Sequence, residues 1–458
     1  MPSGRKRRSP IDNSQSSILK PQSSIRNRQS AIRNPRFIAA QLLSLIEAGR
    51  ISSQDLVSQD SLSALPDKDR SLAYEMILGT LRWHGAIDWI LQTSSGKQLR
   101  QIDPELLPIL RIAIFQLQFM SRIPEYAAVN ESVKLARKKG AGPAGFVNAV
   151  LRQYLRVKPS LPGGRSARDQ AIRTSHPVWL LRRWRSRFGE GRTEEIALQN
   201  NQAPDVAIRW NLARGEIPPE VRRQPGFRPC GHLEGCFHIH GRPCKGAEGE
   251  DYFYQDEASQ LLAYLAAASP VPLSILDACA APGGKAFLLA ERFSQARLLL
   301  SDLSLSRLLA ARRRGEQWGL RNADFVVGDA KTMAFRAPFD LVYVDAPCSG
   351  LGTIRRNPEI KWRMTAKSLT AFRDRQLKIL QNVSRHVASG GQLVYATCST
   401  EPEENGCVID AFLAHSEVFS LEPIESQALR PFVSRSTFST MDRYPEVDGF
   451  FGFVLRRR

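Results

Sequence analysis

The chain has 458 residues, 42% of them hydrophobic, and 64 Lys and Arg against 45 Asp and Glu give a formal net charge of +19. No apolar run approaches the roughly 20 residues that a membrane span needs, and the polar, basic N-terminus lacks the apolar core of a secretory signal. We therefore expect a cytoplasmic chain of several domains with no membrane partner. Seven cysteines are too few for a disulfide scaffold and indicate reduced thiols. The basic excess indicates a nucleic-acid partner, although a merely soluble basic surface would have the same composition.

Residues 1–36 are rich in Ser, Arg, Gln and Asn and carry nine basic side chains against one acid, Asp12. Their apolar content is too low to compensate for the entropy lost when a chain orders. We predict a disordered basic tail here, although an Arg- and Ser-rich, acid-poor start is also typical of organelle transit peptides.

Over residues 37–160 apolar side chains recur with a helical period, beginning with the stretch from Phe37 to Ile46. Several short amphipathic helices joined by brief loops predict an all-α bundle. The strings Ala-Val-Asn-Glu at 128–131 and Phe-Val-Asn-Ala-Val-Leu-Arg at 146–152 resemble the NusB-type helical domain. That resemblance implies RNA binding, whereas the alternative is a helical bundle of no particular role.

Residues 161–250 begin with a Pro- and Gly-rich linker. A basic helix, Trp179 to Phe188, and short β-rich pieces such as Val206 to Trp210 follow it. This alternation predicts a small α+β subdomain, which we expect to bind RNA together with the bundle.

The same segment holds six possible metal ligands: Cys230, His232, Cys236, His238, His240 and Cys244. Cys and His are the preferred ligands of zinc. The spacing fits no common zinc module, however, because the chain contains no Cys-x-x-Cys pair. We therefore expect no metal and interpret the cluster as structural or incidental, with zinc as the alternative.

Residues 251–458 alternate strand patterns with helical ones, which predicts a parallel sheet covered by helices on both faces. The predicted strands are 274–276, 297–301, 324–327, 341–344 and 392–396. Ligands of such a sheet bind beyond the carboxyl ends of its strands, so the residues that follow each strand are candidates for the site.

The first of these strands runs into a loop of small residues, Cys279 to Lys285, ahead of a helix. The loop is not a P-loop, since Cys279 and Ala286 stand where that motif needs Gly and Ser or Thr, and no Gly-x-Gly-x-x-Gly dinucleotide motif occurs there. Acids follow the next three strands: Asp302, Asp329 and Asp345. Each acid alone would be expected to cap a helix, but together they converge on one crevice.

These strings resemble the RNA cytosine-C5 methyltransferase family of the RsmB (Fmu) kind, with its NOL/NOP/Sun-type catalytic half. The glycine loop is similar to the first motif of that family, residues 345–350 (Asp-Ala-Pro-Cys-Ser-Gly) to its fourth and 396–399 (Ala-Thr-Cys-Ser) to its sixth. The resemblance covers roughly residues 37–455. It implies a multidomain fold: an all-α NusB-like bundle, a small α+β subdomain and an α/β Rossmann-like methyltransferase domain over 251–458.

The resemblance also implies S-adenosylmethionine as the cofactor and small-subunit rRNA as the partner, and we expect the protein to be a monomer. The implied cofactor contacts are Cys279, Ala280, Ala281, Pro282, Gly283, Gly284, Lys285, Asp302, Asp329 and Asp345. A non-catalytic RNA-binding or assembly factor is the competing function, and tRNA or DNA the competing substrate.

Carbon 5 of cytosine is a poor nucleophile, and a thiolate that adds to carbon 6 carries electron density to it. Cys348 and Cys398 both follow predicted strands; the residues alone do not order them, and a buried cysteine is often merely structural. The resemblance implies Cys398 as the nucleophile and Cys348 as the helper in product release. Asp345 is expected to hydrogen-bond the base, or to cap the following turn.

Basic residues follow the Cys348 loop, near Trp362: Arg355, Arg356, Lys361 and Arg363. Basic side chains around an aromatic ring are typical of surfaces that bind a nucleic-acid backbone and stack a base. We predict RNA contacts for all four, with a solvated charged face as the alternative.

Overall fold

The computed structural model describes residues 34–241, 243–266, 271–444 and 447–458. The predicted disordered tail, apart from its last three residues, lies outside the described residues. Among the helices of the described ranges, none combines the length and the apolar character that crossing a bilayer requires.

A helical bundle forms the first part of the molecule, as its apolar periodicity predicts. Its helices are α1 Pro35–Glu47, α2 Asp60–Ser63, α3 Asp67–Arg82, α4 His84–Ser95, α5 Leu107–Phe119, α6 Glu125–Arg137 and α7 Ala141–Val157. Helix α1 begins where it does because the Asn34 side chain accepts hydrogen bonds from the amides of Arg36 and Phe37. The apolar stripes of these helices meet in one core, to which Leu43, Ile77, Leu110 and Leu151 contribute fully buried side chains.

Three helices and a small sheet connect the bundle to the rest of the chain. They comprise α8 Ala167–Thr174, α9 Val178–Gln199, β1 Val206–Trp210, α10 Pro219–Arg222, β2 Arg228–Pro229, β3 Cys236–Ile239 and β4 Tyr252–Tyr254. Strand β1 has the bounds that the sequence predicts. Helix α9 is kinked at Gly189, whose φ of 77° lies outside the helical region. The four strands pair in the order β2-β3-β1-β4, and every pairing is antiparallel.

The last part of the chain forms the second sheet and the helices that pack on it. Its elements are α11 Glu257–Leu262, β5 Ser274–Asp277, α12 Gly284–Arg292, β6 Arg297–Asp302, α13 Leu305–Trp318, β7 Ala323–Val327, β8 Phe339–Asp345, α14 Ile360–Arg363, α15 Ala366–Val383, β9 Val387–Thr397, α16 Gly406–Leu413, β10 Phe419–Leu421, β11 Val433–Ser434, β12 Thr437–Ser439 and β13 Phe451–Arg457. Short 3-10 turns lie at Ser53–Ser58, Leu99–Gln101, Leu212–Arg214, Leu351–Thr353, Ser384–His386, Pro402–Glu404, Gln427–Phe432 and Met441–Arg443.

Strands β5 to β9 are parallel and lie in the order β9-β8-β5-β6-β7, so the five predicted strands are confirmed. The prediction of a purely parallel sheet is wrong at one side, because β13 runs antiparallel to β9 and pairs with β12 and β10. The order of the strands reverses at β5: β6 lies on one side of it and β8 on the other. In an open sheet of this kind the crevice at that reversal is the preferred ligand site.

Apolar side chains cover both faces of this sheet. Ile275 and Leu300 pack on one face against Phe287 of α12, while Leu276 and Val344 pack on the other against Leu380 of α15. Since successive strand residues point to opposite faces, strands buried on both sides leave their carboxyl ends as the place for polar chemistry.

Candidate active site

A cavity of about 550 Å³ opens at the carboxyl ends of β5 and β8, beside the reversal point of the sheet. The loop residues and acids that line it are Asp277, Cys279, Ala280, Pro282, Gly284, Lys285 and Asp345. The opposite wall comes from the small sheet, α11, α13 and the bundle, and includes Gln54, Phe253, Gln255, Ser259 and Trp318. Five of the seven predicted loop residues therefore line one cavity together with Asp345.

The backbone of the glycine loop passes close to its neighbours. Gly283 has a φ of 103°, and a Cβ added there would lie 2.6 Å from the Phe287 ring. A Cβ on Gly284 would lie 3.0 Å from Nε2 of Gln255. Glycine is needed at the first position because side-chain-bearing residues rarely adopt that φ, and at the second it keeps the cavity wall open.

Asp302 and Asp329 are not part of the cavity lining. The Asp302 carboxylate accepts hydrogen bonds from the amides of Ala281 (3.2 Å) and Ser304 (2.9 Å), so it holds the glycine loop against the end of β6. Asp329 accepts from the Lys331 amide at 3.0 Å, as a turn-capping acid does. Direct cofactor contacts by these two acids stay predictions.

Two polar residues of the cavity wall, Asp277 and Gln255, were not among the predicted site residues. Asp277 ends β5 and is almost fully buried, and burial together with the nearby charge of Asp345 raises its pKa to about 7. Gln255 has a buried Oε1 atom with no hydrogen-bond partner among the described residues. Neither residue type marks a site on its own, and only the fold brings both side chains to the cavity.

Lys285 and Asp345 form an ion pair at the inner end of the cavity. The Lys285 Nζ atom lies 2.5 Å from Oδ2 of Asp345 and 5.7 Å from the centre of the Phe450 ring. Burial lowers the pKa of Lys285, but the charge and hydrogen bond of Asp345, aided by Cys398, outweigh it and the net pKa is raised. The ammonium group therefore stays charged beside the Cys398 sulfur.

The two candidate cysteines meet at the ends of adjacent strands. Asp345 of β8 is paired with Ala396 of β9, and the loops that follow bring Cys348 Sγ to 3.2 Å from Cys398 Sγ. Both side chains are half-buried rather than sealed in the interior. The hydrogen bond with Cys398, followed by burial, raises the pKa of the Cys348 thiol. The two thiols are thus within hydrogen-bond distance of each other.

A buried carboxylate fixes both cysteine loops. Glu404 accepts hydrogen bonds from the Ser349 amide (2.8 Å) and hydroxyl (2.5 Å), from the Ser399 hydroxyl and from the Gln376 amide group (3.1 Å). Ser349 and Ser399 directly follow the two cysteines, so one side chain sets the separation of the sulfurs. Burial raises the pKa of Glu404, and these donors offset part of that shift. The sequence had not singled out this residue.

The basic residues predicted to contact RNA use their charged groups for contacts within the protein. The prediction is wrong for Lys361, whose fully buried ammonium donates to Arg82 O at 2.9 Å and to Asn201 Oδ1 at 2.8 Å. Arg356 is held by the buried carboxylates of Asp256 and Asp448, which its guanidinium bonds, and an RNA contact by this residue stays a prediction. Both cations serve the interior because the loop after Cys348 is enclosed by other elements.

Arg363 and Arg355 also make contacts within the protein. Arg363 Nη2 donates to the carbonyl oxygens of Ile46 (2.5 Å) and Ile51 (2.7 Å), and Arg355 Nη2 donates to Ala203 O at 3.3 Å. The segment around α14 therefore joins the bundle to the cysteine loop, and RNA contacts by these two arginines stay predictions.

Comparison with known proteins agrees with this architecture. Residues 269–456 match the family described as 16S rRNA methyltransferase RsmB/F, residues 33–156 the NusB family, and residues 176–218 the RsmF/B-like ferredoxin-like domain. The chain is 31% identical over 446 residues to the probable ribosomal RNA small subunit methyltransferase B of Bacillus subtilis, which spans 92% of this chain and 98% of the relative. It is 34% identical over 399 residues to ribosomal RNA small subunit methyltransferase B of Pseudomonas putida, spanning 83% of this chain and 89% of the relative.

The overall fold also matches the crystal structure of PH0851, with a TM-score of 0.77 and 22% identity over 92% of this chain and 99% of that one. The doubly wound sheet with its glycine loop and strand-end acids defines an S-adenosylmethionine-dependent methyltransferase. Within that class, the chain belongs to the RsmB/F family of 16S rRNA methyltransferases. The family resemblance and the fold class drawn from the sequence are both confirmed.

The residues around the cavity fit S-adenosylmethionine. This molecule carries a sulfonium, an ammonium group and ribose hydroxyls, all of which pair with acceptors such as the carboxylates of Asp277 and Asp345. The unpartnered Oε1 of Gln255 is a further acceptor in the same wall. Gly284 leaves open the space that a Cβ would fill.

Proposed function

We propose that the protein transfers a methyl group from S-adenosylmethionine to carbon 5 of a cytosine in 16S rRNA, through a covalent bond between Cys398 and carbon 6. The observation that carries this proposal is the pair of sulfurs 3.2 Å apart, next to the Lys285–Asp345 ion pair of the cavity. A scaffold protein without catalytic activity would have no need of two half-buried thiols held at that distance.

The surroundings of the two cysteines support one order for them. The hydrogen bond with Cys398, followed by burial, raises the pKa of the Cys348 thiol, which makes Cys348 the poorer nucleophile. The charged Lys285 ammonium interacts with Cys398, and a neighbouring cation is typical of reactive cysteines. Residue types alone leave the order open, and this asymmetry supports Cys398 as the nucleophile.

The proposed reaction begins and ends at the sulfur of Cys398. The Cys398 thiolate forms a bond to carbon 6, and the electron pair of the carbon 5–carbon 6 double bond moves onto carbon 5 and the ring. The glycine loop, Asp302, Asp329 and Asp345 would hold S-adenosylmethionine, which would supply the methyl group to carbon 5 as its sulfur–methyl bond breaks and its sulfonium becomes the neutral thioether of S-adenosylhomocysteine. A base then removes the carbon 5 proton, the double bond re-forms and Cys398 leaves as a thiolate.

Cys348 is suited to assist this last step. Its sulfur lies 3.2 Å from the Cys398 sulfur that must leave, so it is the nearest side chain able to act on the departing group. Asp345 supports the first step by accepting a hydrogen bond from the amino edge of the cytosine, which has to leave any base stack to reach the cavity.

Small-subunit rRNA is the substrate that the named relatives support, since both are ribosomal RNA small subunit methyltransferases. The NusB-like bundle adds an RNA-binding surface by analogy. The net charge of +19 favours a polyanionic partner of this kind.

The test is transfer of labelled methyl groups from S-adenosylmethionine to rRNA, followed by bisulfite mapping of the modified base. We expect Cys398→Ala to abolish transfer and Cys348→Ala to trap a covalent protein–RNA adduct, visible as a gel shift. Cys407→Ala, at an exposed cysteine, is the matched control and should behave as the wild type. An adduct trapped by Cys398→Ala instead would reverse the roles, and label on a base other than cytosine would refute the substrate.

A further inference from the structure

A group of thiol, imidazole and carboxylate side chains lies outside the cavity, between the small sheet and α11. Cys230 follows β2, and its amide donates to the carbonyl oxygen of Cys236 at 2.9 Å, so the two cysteines face each other across the β2–β3 pair. Cys236 and His238 share one face of β3 because side chains alternate along a strand. Glu257, the first residue of α11, closes the group from the opposite side.

The geometry of this group is that of a metal ligand set. One ligand atom each of Cys230, His238 and Glu257 lies within 4.8 Å of the other two. His238 Nε2 and Glu257 Oε2 are 3.2 Å apart. Zinc bonds of about 2.0–2.3 Å in a tetrahedral site separate neighbouring ligand atoms by roughly 3.3–3.8 Å, so small side-chain movements suffice.

Burial gives a second, independent observation. Cys230, Cys236 and Glu257 are 4%, 0% and 3% exposed, so the whole group is enclosed by protein, where a carboxylate is costly unless it is paired. Buried thiols, an imidazole and a carboxylate that converge on one point are the kind of donor set that binds zinc.

We propose that Cys230, His238 and Glu257 bind one Zn²⁺ ion in a closed, structural site, and that the neighbouring buried thiol of Cys236 turns toward the ion to become its fourth ligand. Two thiolates and an imidazole select zinc over the hard cations Mg²⁺ and Ca²⁺, and four protein ligands leave no open position for catalysis. Binding releases the protons of the two thiols to solvent. Cys-x-x-Cys spacing is not required, because β2, β3 and α11 supply the ligands from three elements.

The proposed ion would stabilise the wall of the active site. Glu257 begins α11, and the same short segment contributes Gln255 and Ser259 to the cavity and Asp256 to the ion pair with Arg356. Zinc at this position ties that segment to the small sheet. Its loss should therefore lower thermal stability and loosen cofactor binding without changing which base is methylated.

The test is the metal content of the full-length chain, purified with a thiol reductant and dialysed against Zn²⁺. We expect one zinc per chain, and with Co²⁺ as the probe a thiolate-to-cobalt charge-transfer band in the near ultraviolet. Cys230→Ser and His238→Ala should lose the ion and the band. Cys244→Ser and His232→Ala are matched controls from the same segment but outside the ligand group, and both should retain them.

Several outcomes would overturn the proposal. These are a zinc-free wild-type chain, retention of the ion by Cys230→Ser, or a disulfide between Cys230 and Cys236 in the reduced preparation. The double variant Cys348→Ser/Cys398→Ser must keep its zinc, since loss there would assign the ion to the catalytic thiols. If Cys230→Ser does not fold, the cobalt spectrum of the wild-type chain decides, because an ion without thiolate ligands gives no such band.

Discussion

Replacing Arg356 with methionine removes the guanidinium that holds two buried carboxylates. Arg356 Nε donates to Asp448 Oδ2 at 2.8 Å and Nη2 donates to Asp256, and these acids are only 4% and 7% exposed. Breaking a buried pair costs about 3–5 kcal/mol because the remaining charge is uncompensated. Since the Arg356 side chain keeps 29% of its surface exposed, the lower end of that range applies. We expect Arg356→Met to lose about 3 kcal/mol of unfolding free energy near neutral pH.

The loss should depend on pH in a defined direction. Burial, and then the charge of Asp256, raise the pKa of Asp448 to about 7, above the value of about 3.9 in an unfolded chain. An acid with a raised folded pKa binds protons on folding, so its contribution falls as pH rises from about 4 through about 7. Without Arg356 this pKa rises further, so the deficit of the variant should be larger at about pH 8.5 than at about pH 6.

Urea unfolding at both pH values measures this effect, with filter binding to rRNA as the second readout. Arg373→Met is the matched control, because Arg373 is an exposed residue of α15 paired only locally with Asp374. A stable Arg356→Met variant that binds rRNA more weakly would refute the structural role and support the RNA contact predicted from the sequence. A deficit that shrinks as pH rises would refute the assignment of the charges.

Two further substitutions test the active site. Glu404→Ala leaves the buried donors of Ser349 and Ser399 without their acceptor, at a cost of about 2–5 kcal/mol in unfolding free energy. We expect kcat to fall while the KM for S-adenosylmethionine changes little, and Glu404→Gln should restore part of kcat. An unchanged kcat in Glu404→Ala would contradict the role of Glu404 in holding the two cysteine loops. Gly283→Ala combines a φ of 103° with a contact of 2.6 Å to Phe287 and should weaken S-adenosylmethionine binding by about tenfold in calorimetry. Gly390→Ala also has a positive φ but open surroundings, and it should leave the affinity for S-adenosylmethionine unchanged. Equal affinities in the two variants would refute the argument that the contact with Phe287 matters.

The parallel part of the catalytic sheet could be predicted because its strands are buried on both faces. Such strands appear as short continuous apolar runs, and the acids that end them are visible as interruptions at Asp277, Asp302 and Asp345. The helices of the bundle were predictable from their stripes for the same reason. The type of each of these elements could be predicted because it depends on apolar residues that are close together in the sequence.

The antiparallel strands were not predictable in this way. Strands β10 to β12 are two or three residues long, too short for any period to emerge, and they form because β13 offers an edge. Long-range partners also decide the role of charged residues. Arg356 appears to be a surface cation in the sequence, since its partners lie 92 and 100 positions away. Glu257, 19 positions from His238, is absent from the Cys/His cluster until the chain is folded.

The contacts of α14 affect how freely the amino-acid sequence of the bundle can change during evolution. Lys361, Trp362 and Arg363 reach across to main-chain oxygens of the bundle, among them Arg82 O, Leu81 O and Ile46 O. A main-chain oxygen is present whatever amino acid occupies the position. The side chains of the bundle can therefore change over evolutionary time, while three residues beside the cysteine loop keep the same hydrogen bonds to its backbone.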